Sequence, residues 1–305
     1  MKIVLAGASG FLGFSLCQAL RRQGHRLTIL TRRAAELQRL LGTTVHVVEW
    51  DAARGGPWEQ AFSGAEAVIN LAGAPIAGAR WTESRKRLIA ESRLQSTRLL
   101  VQACSRLTVK PELFINASGI GYYGPQGDDA VNESSPPGRG FLADLCVHWE
   151  AAARDAAAIG MRVICLRTGM VLEEDGGALP RIAIPFRLFL GGPVMPGSQW
   201  MSWIHRDDWV GLVEWALTNK AISGPINVVA PHPVSMSEFC RTLGTVLRRP
   251  SWLPVPELVL RLALGELATL MTTGQRVAPT VAQEGGYRFR FPFLEGALRS
   301  ISAKT

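Results

Sequence analysis

Short apolar runs of strand length alternate with helix-like segments over the first 167 residues. The apolar runs occupy residues 3–6, 27–30, 45–48, 67–71, 113–117 and 162–167. Helix-like stretches over 12–22, 85–105 and 144–159 lie between them. Strands that are apolar on both faces and connected by helices are typical of a parallel sheet covered on both sides. The pattern predicts an α/β fold with a doubly wound parallel sheet.

The alternation of strands and helices ends near Gly176, and loops rich in proline and glycine follow. Helices are predicted to begin near Asp207, Ser235 and Pro256, and Ser235 stands three residues before Glu238, the spacing of a capping box. We therefore expect residues 1–175 to form a first domain. Residues 176–305 should form mainly a smaller second lobe, with parts returning to the first domain.

Composition narrows the class of protein. With 47% hydrophobic and 19% charged residues among 305, the chain has material for a large core and too little charge for a disordered protein. The net charge is +8, and 28 of the 33 basic residues are arginine, which suits planar contacts with phosphate. High-GC codon usage explains the arginine bias equally well. The arginines are spread along the chain without interleaved aromatics, so we expect no nucleic-acid partner.

The cysteines and histidines show no metal-binding spacing, so no metal site is expected. No stretch reaches the roughly 20 apolar residues that a membrane-spanning helix needs, which predicts no membrane partner. Glycines interrupt the apolar run at the N-terminus, unlike the core of a signal peptide. A cytoplasmic location is the expectation.

The first strand runs directly into a glycine-rich turn, GASGFLG, and then into a helix. In a dinucleotide site of this kind, Gly7 permits the tight turn, Gly10 lets a pyrophosphate approach backbone N–H groups, and Gly13 allows close packing of helix and sheet. A glycine turn in another α/β protein, such as a methyltransferase, is the alternative. The predicted cofactor contacts in this loop are Gly7, Ser9, Gly10, Phe11, Leu12 and Gly13.

The end of the second strand distinguishes NADP from NAD. NAD-specific sites place an acidic residue there, which binds the ribose hydroxyls and would repel a 2′-phosphate. Here the strand ends with Thr31, Arg32 and Arg33. Thr31 can donate a hydrogen bond to the phosphate, and Arg32 can form a charge-assisted fork with it. We predict NADP(H), the alternative being that the arginines only decorate a surface loop.

Several blocks along the chain resemble one family. They read RWTESRKRLIAESRLQST, SGIGYYG, HWEAAAR, RTGMVL, GGPVMPGSQWMSWIHRDD, GPINVVAP, LRRP and GQRVAP. Together with the G-x-x-G-x-x-G spacing, they resemble an atypical, extended-type, epimerase-like subgroup of the short-chain dehydrogenases/reductases. The resemblance implies a Rossmann-type sheet that binds NADP(H), with a smaller C-terminal substrate lobe. It implies further cofactor contacts at Asp51, Leu71, Ala72, Gly73, Arg93 and Val171.

Typical members of that superfamily use a Tyr-x-x-x-Lys pair, in which the tyrosine transfers a proton and the lysine lowers its pKa. This chain has three tyrosines, Tyr122, Tyr123 and Tyr287. The residues four positions later are Gln126, Gly127 and Phe291. The pair is therefore absent, and the segment where the resemblance would place it reads FLADLCVH. Arg93 is our candidate to compensate in part for the missing lysine.

The same resemblance indicates residues near the substrate. Ser118 stands where typical members keep a serine that binds the substrate oxygen, and Tyr122 or Tyr123 is the candidate proton donor. The alternative for the tyrosines is an aromatic lid on the nicotinamide. Substrate-pocket residues by position are Gln199, Trp203 and His205. A structural role for His205, bonded to Asp208 or to backbone, is the alternative for that residue.

Two functions follow from these residues. The first is an NADP(H)-dependent oxidoreductase or epimerase that acts on a small carbonyl or sugar-like substrate, as a monomer or homodimer. The second is a catalytically silent NADP(H)-binding sensor or regulatory protein, which the absent Tyr-x-x-x-Lys pair favours.

Overall fold

The computed structural model describes residues 1–303. The strands are β1 (Lys2–Ala6), β2 (Arg26–Thr31), β3 (His46–Glu49), β4 (Ala67–Asn70), β5 (Leu113–Gly119), β6 (Ala130–Val131), β7 (Arg162–Thr168), β8 (Met170–Leu172), β9 (Trp200–Met201), β10 (Trp203–His205), β11 (Gly224–Val228), β12 (Val234–Ser235) and β13 (Arg276–Val277). The α-helices are α1 (Phe11–Arg22), α2 (Ala34–Leu41), α3 (Glu83–Ser105), α4 (Phe141–Arg154), α5 (Leu179–Arg187), α6 (Arg206–Thr218), α7 (Met236–Leu247), α8 (Glu257–Leu264), α9 (Thr269–Thr272), α10 (Thr280–Glu284) and α11 (Leu294–Ser302).

Seven parallel strands form the central sheet in the order β11-β7-β5-β4-β1-β2-β3. The chain starts in the middle of the sheet and winds outward in both directions, which is the doubly wound, Rossmann-type arrangement. The predicted α/β fold class is confirmed. All six predicted apolar runs form strands of this sheet. The seventh strand, β11, comes from the C-terminal half of the chain and pairs with the outer edge of β7.

Alternation along β1 explains why helices cover both faces of the sheet. Ile3 and Leu5 belong to a buried cluster that includes residues of α1 and α6, whereas Val4 and Ala6 belong to a cluster that includes residues of α3 and α4. All four are fully buried. Burial of a large aliphatic side chain contributes about 1.5–3 kcal/mol, so both faces stabilise the sheet.

A smaller lobe forms around a third cluster, to which α5, α7 and α11 contribute. The helices predicted near Asp207, Ser235 and Pro256 begin within one residue of those positions. Ser235 caps α7, because its hydroxyl accepts a hydrogen bond from the Glu238 N–H at 3.1 Å. The two-stranded sheets β8-β10 and β9-β12 lie in the same part of the chain.

The five cysteines are all buried free thiols. Burial raises the pKa of Cys17 to about 11 and that of Cys104 to about 12. A thiol with such a pKa stays protonated at neutral pH and is a poor nucleophile. Among residues 1–303, no helix is long and apolar enough to cross a bilayer.

Candidate functional site

The loop between β1 and α1 lies directly against the loop that follows β4. Gly7 adopts a φ of +88°, and a Cβ atom there would approach the Leu71 carbonyl carbon and oxygen to 2.7 Å. A Cβ at Gly13 would overlap the Gly7 carbonyl oxygen. Gly10 differs, because its nearest neighbour would be the same oxygen at 3.4 Å. No side chain caps the start of α1, so its first N–H groups are available to an anion.

A cavity of about 60 Å³ lies beside this loop, and Ser9 and Arg33 both line it. The Arg33 guanidinium pairs with Glu36 at 3.2 Å. The Thr31 hydroxyl is buried and accepts a hydrogen bond from the Arg33 N–H at 3.2 Å, which fixes the turn after β2. Within residues 1–303 the exposed Arg32 side chain forms no hydrogen bond or ion pair. The structure thus brings Ser9 and Arg33 to the same cavity.

Asp51 follows β3 and is exposed. Its carboxylate accepts a hydrogen bond from the Ala53 N–H at 3.1 Å and pairs with Arg54 at 3.2 Å. The ion pair that Asp51 Oδ2 forms with Arg54 is exposed, and such pairs contribute only about 0–1 kcal/mol. Oδ2 can therefore exchange Arg54 for another hydrogen-bond partner at small cost.

Asn70, at the end of β4, holds the following loop in place. Its side chain is fully buried and donates to Thr97 Oγ1 at 2.9 Å and to Asn116 Oδ1 at 2.8 Å. Its own oxygen accepts the Ala72 N–H at 3.1 Å. These bonds fix residues 71–73 against the sheet. Asn116 and Thr97 were not among the predicted site residues, although a polar residue inside the apolar strand LFINA was a visible signal.

Arg93 projects from α3 under the same loop and is only 7% exposed. Its Nη1 donates to the carbonyl oxygens of Ala74 at 2.9 Å and Ile89 at 3.1 Å. A Cβ on Gly73 would lie 3.0 Å from the guanidinium carbon. Burial lowers the pKa of Arg93 to about 10. No carboxylate of residues 1–303 forms an ion pair with it, so a buried cation lies beside this loop without a protein anion.

Ser118, at the end of β5, is oriented by a buried acid. Its hydroxyl donates to Glu150 Oε1 at 2.8 Å, and Glu150 on α4 is fully buried. The same carboxylate accepts two hydrogen bonds from Arg167 of β7, at 2.8 and 2.9 Å. The Ser118 proton is thereby directed into the protein, which leaves the oxygen lone pairs for another donor.

The two neighbouring tyrosines have different surroundings. Tyr123 is fully buried, donates to Asn227 Oδ1 at 2.7 Å and accepts from Arg167 Nη1 at 3.0 Å. Burial raises the pKa of its hydroxyl to about 12. Tyr122 is half-buried, with its ring centroid 3.4 Å from the Arg167 guanidinium carbon. Tyr123 is thus held inside the protein by two hydrogen bonds, whereas Tyr122 is only half-buried.

The segment FLADLCVH forms the start of α4 and packs against the turn that follows β5. A Cβ on Gly121 would lie 2.9 Å from Leu142 Cβ, so the two elements pack closely. Leu142 and Leu145 join a cluster with Trp81 and Leu267. No tyrosine or lysine occurs in this segment. The segment therefore lacks the Tyr-x-x-x-Lys pair.

The three predicted pocket residues are all buried and have partners within the protein. Gln199 Nε2 donates to the carbonyl oxygens of Val194 at 3.0 Å and Met271 at 2.8 Å. Trp203 is fully buried in the core of the lobe. His205 is also fully buried, and its Nδ1 accepts the Asp207 N–H at 3.0 Å, which caps α6. The backbone bond considered as the alternative for His205 is present.

Val171 and Phe11 meet at Gly177. A Cβ on Gly177 would lie 3.0 Å from the Val171 carbonyl oxygen and 3.3 Å from the Phe11 ring. Phe11 begins α1, and Val171 lies on β8, which follows the sheet strand β7. The start of the small lobe is therefore packed against the glycine-rich loop.

Comparison with known proteins shows similarity over nearly the whole chain. The model of the NAD dependent epimerase/dehydratase family matches residues 3–229, and that of a domain of unknown function matches residues 255–301. The chain is 40% identical to the "Epimerase family protein SDR39U1 homolog, chloroplastic" of Arabidopsis thaliana, over 99% of this chain and 86% of that protein. It is 39% identical to the "Epimerase family protein YfhF" of Bacillus subtilis (strain 168), over 99% and 98% of the two chains.

Solved structures show the same similarity. The human epimerase family protein SDR39U1 (isoform2), solved with NADPH, superposes with a TM-score of 0.89 at 33% identity over 100% of both chains. The UDP-glucuronic acid 4-epimerase from Bacillus cereus, solved with UDP-glucuronic acid and NAD, gives a TM-score of 0.79 at 18% identity over 100% of this chain and 99% of that one. At 18% identity, the similarity to the Bacillus cereus enzyme shows only that the two proteins share a fold.

Proposed function

Because this chain belongs to the NAD dependent epimerase/dehydratase family, we propose that it is an NADP(H)-dependent oxidoreductase or epimerase acting on a small carbonyl or sugar-like substrate. The supporting observation is the loop between β1 and α1, where Gly7 and Gly13 have no room for a side chain and Gly10 does. Such a loop gives a pyrophosphate access to backbone N–H groups. We further propose residues 1–175 as the cofactor domain and residues 176–305 as mainly the substrate lobe.

The residues beside the glycine loop fit NADP(H) better than NAD(H). Arg32 and Arg33 follow β2 in place of an acid, and Ser9 lines the same cavity as Arg33. A 2′-phosphate would receive charge-assisted hydrogen bonds from these groups. The human relative solved with NADPH supports this choice.

Arg93 provides a cation beside the loop after β4, where the nicotinamide half of the cofactor would lie. It is buried under Gly73 and Ala74 and has no protein carboxylate among residues 1–303 to balance its charge. A buried charge needs a partner, and a ribose hydroxyl or a cofactor phosphate at the 71–74 loop would supply one. We assign Arg93 the binding role that lysine has in the Tyr-x-x-x-Lys pair.

NADP(H), when bound, supplies or accepts a hydride. Ser118 accepts a hydrogen bond from the hydroxyl form of the substrate, since its own proton is directed to Glu150. Tyr122 is half-buried and follows Ser118 by four residues in the turn after β5, and we assign it the transfer of the proton to or from that oxygen. Tyr123, bonded to Arg167 and Asn227, keeps this loop in position.

Calorimetric titration with NADPH and with NADH tests the cofactor. We expect binding of NADPH at least about tenfold tighter than NADH, because a charge-assisted hydrogen bond contributes about 1.5–3 kcal/mol. Equal affinity would contradict the assignment of the arginines, and binding of neither would overturn the proposal.

Nicotinamide fluorescence tests the reaction, with aldehydes, ketones and nucleotide sugars added in turn to the NADPH complex. Oxidation of NADPH by one class identifies a reductase substrate. An epimerase is detected by product analysis with the sugars in the presence of NADP⁺. Tight binding without any turnover would favour the silent sensor.

A further inference from the structure

One face of the C-terminal lobe exposes a group of large apolar side chains. They come from the end of α5, the loop after it, the segment before α8, and α8 itself. The group consists of Ile184, Leu188, Phe189, Leu190, Met195, Trp252, Leu253, Leu258, Val259 and Leu262. Each is between 37% and 70% exposed. We call this group the lobe patch.

Backbone and side-chain hydrogen bonds join the loop after α5 to the segment before α8. Trp252 Nε1 donates to the Phe189 carbonyl oxygen at 3.2 Å, and the Leu253 N–H donates to that of Gly191 at 3.1 Å. The Met195 N–H donates to the Val255 carbonyl oxygen at 3.0 Å, next to the start of α8. The two segments of chain therefore lie side by side.

Both helices direct an apolar stripe outward. Ile184 and Leu188 are one turn apart on and just after α5, and Leu258 and Leu262 are one turn apart on α8. Ten large apolar side chains, each more than a third exposed, make up this group, whereas exposed apolar residues on a monomeric protein are usually scattered singly. An apolar surface of this size points to a partner.

The charge around the lobe patch identifies the kind of partner. Residues 179–195 and 248–263 contain five arginines and one acid. The arginines are Arg181, Arg187, Arg248, Arg249 and Arg261. Glu257 is paired with Arg261 at 2.7 Å, and Arg187 is paired with Glu174, which lies outside these two segments, at 3.1 Å. A second copy of the chain would bring the same excess of positive charge, whereas an anionic surface is attracted to it.

The composition of the lobe patch matches a surface that enters lipid head groups. Aromatic side chains such as Trp252 and Phe189 favour the boundary between hydrocarbon and water, and leucines favour the acyl region below it. The Arg249 guanidinium lies 4.6 Å from the centre of the Phe189 ring, so a cation stands directly beside an exposed aromatic. Arginine stems can lie along apolar surface while the charged ends reach phosphate.

We propose that the lobe patch docks this protein on the surface of an anionic phospholipid bilayer. α5, α8 and the loops between them lie in the interface, and the arginines contact lipid phosphates. The attachment is peripheral and requires no spanning helix. The proposal does not depend on the proposed NADP(H)-dependent activity.

Flotation of the full chain with vesicles tests the docking. The vesicles are phosphatidylcholine alone, or phosphatidylcholine with about a third phosphatidylglycerol. Each is tested at low salt and at roughly 0.5 M NaCl, which screens the attraction between the arginines and the lipid phosphates. We expect flotation with the anionic vesicles and weaker flotation at high salt. In Leu258→Ser/Leu262→Ser, partitioning should fall about tenfold or more, since each buried CH₂ contributes ~0.8 kcal/mol. Both leucines are well exposed, so this variant should fold normally.

Leu88→Ser/Val109→Ser is the matched control, because these exposed apolar residues lie outside the lobe patch. Its flotation should equal that of the parent protein. The proposal is overturned if the parent fails to float with anionic vesicles, or if both double variants float equally well. It is also overturned if sedimentation shows a dimer that Leu258→Ser/Leu262→Ser dissociates and that does not bind vesicles, since a second copy then covers the patch.

Discussion

The Arg167 guanidinium binds the Glu150 carboxylate through two hydrogen bonds, Nε to Oε1 at 2.8 Å and Nη2 to Oε2 at 2.9 Å. Both side chains are at most 3% exposed. The pair joins β7 to α4, and each partner also holds a candidate site residue, since Glu150 accepts from Ser118 and Arg167 donates to Tyr123. One buried ion pair therefore positions both sides of the proposed reaction site.

Replacing Glu150 with alanine should destabilise the protein by about 3–5 kcal/mol, because it leaves the Arg167 charge buried and uncompensated. Denaturation with urea, followed by circular dichroism, measures the change. The exposed pair Arg299–Glu295 supplies the control. There Glu295→Ala should change stability by less than about 1 kcal/mol. Equal effects at the two sites would show that the buried pair has no special role.

Two glycines in the cofactor loop should respond differently to alanine. Gly10 has a φ of −84°, and its Cβ would meet the Gly7 carbonyl oxygen at an ordinary contact distance of 3.4 Å, so Gly10→Ala should keep its stability and lose NADPH affinity. In Gly13→Ala the new Cβ would overlap the Gly7 carbonyl oxygen, which should cost about 1–3 kcal/mol of stability. Thermal unfolding and calorimetric titration of both variants check this. Unchanged NADPH binding in a folded Gly10→Ala protein would contradict the pyrophosphate site.

Arg32→Ala should weaken NADPH binding about tenfold to a hundredfold, because it removes a charge-assisted hydrogen bond to the 2′-phosphate. NADH affinity should not change, since NADH lacks that phosphate. Arg39→Ala, at an exposed position on α2, controls for the loss of one positive charge. If both variants weaken NADPH binding equally, the loss comes from the lower net positive charge, and Arg32 is not a specific ligand.

Glu133 should give stability a distinct pH dependence. Burial raises the pKa of its carboxyl above the ordinary value of 4.5, although the N–H groups of Asn227 and Val281 bond to it. The folded protein therefore holds this proton more tightly than the unfolded chain does, and this contribution to stability declines as pH rises from 4.5 through the folded pKa. Urea unfolding at several pH values measures the free energy of unfolding. We expect its decline with rising pH to be smaller in Glu133→Gln than in the parent protein. Glu295→Gln, at an exposed site, should leave the pH profile as it is in the parent protein.

The sequence predicted the sheet well, because apolar strands and glycine turns are local signals. It did not predict β11, whose Gly224-Pro225 start looks like a turn and whose place beside β7 depends on a distant pairing. The glycine loop was likewise predicted, because its backbone geometry requires glycine at fixed positions along the chain. The burial of Trp203 and the bond from Asn70 to Asn116 depend on how separate elements pack, which spacing along the chain does not show.

The two adjacent tyrosines offer the sharpest test of the proposed chemistry. Tyr122→Phe should lower kcat by about 10²–10⁴-fold, as expected for loss of a general acid, while NADPH affinity and stability stay unchanged. Tyr123→Phe should instead lower stability by about 1–3 kcal/mol, because it leaves Asn227 and Arg167 without their shared partner. Steady-state kinetics on a substrate from the carbonyl panel, with urea unfolding of both variants, separates the two roles. If Tyr122→Phe retains full turnover, the proton comes from water or another group, and the assignment of Tyr122 is wrong.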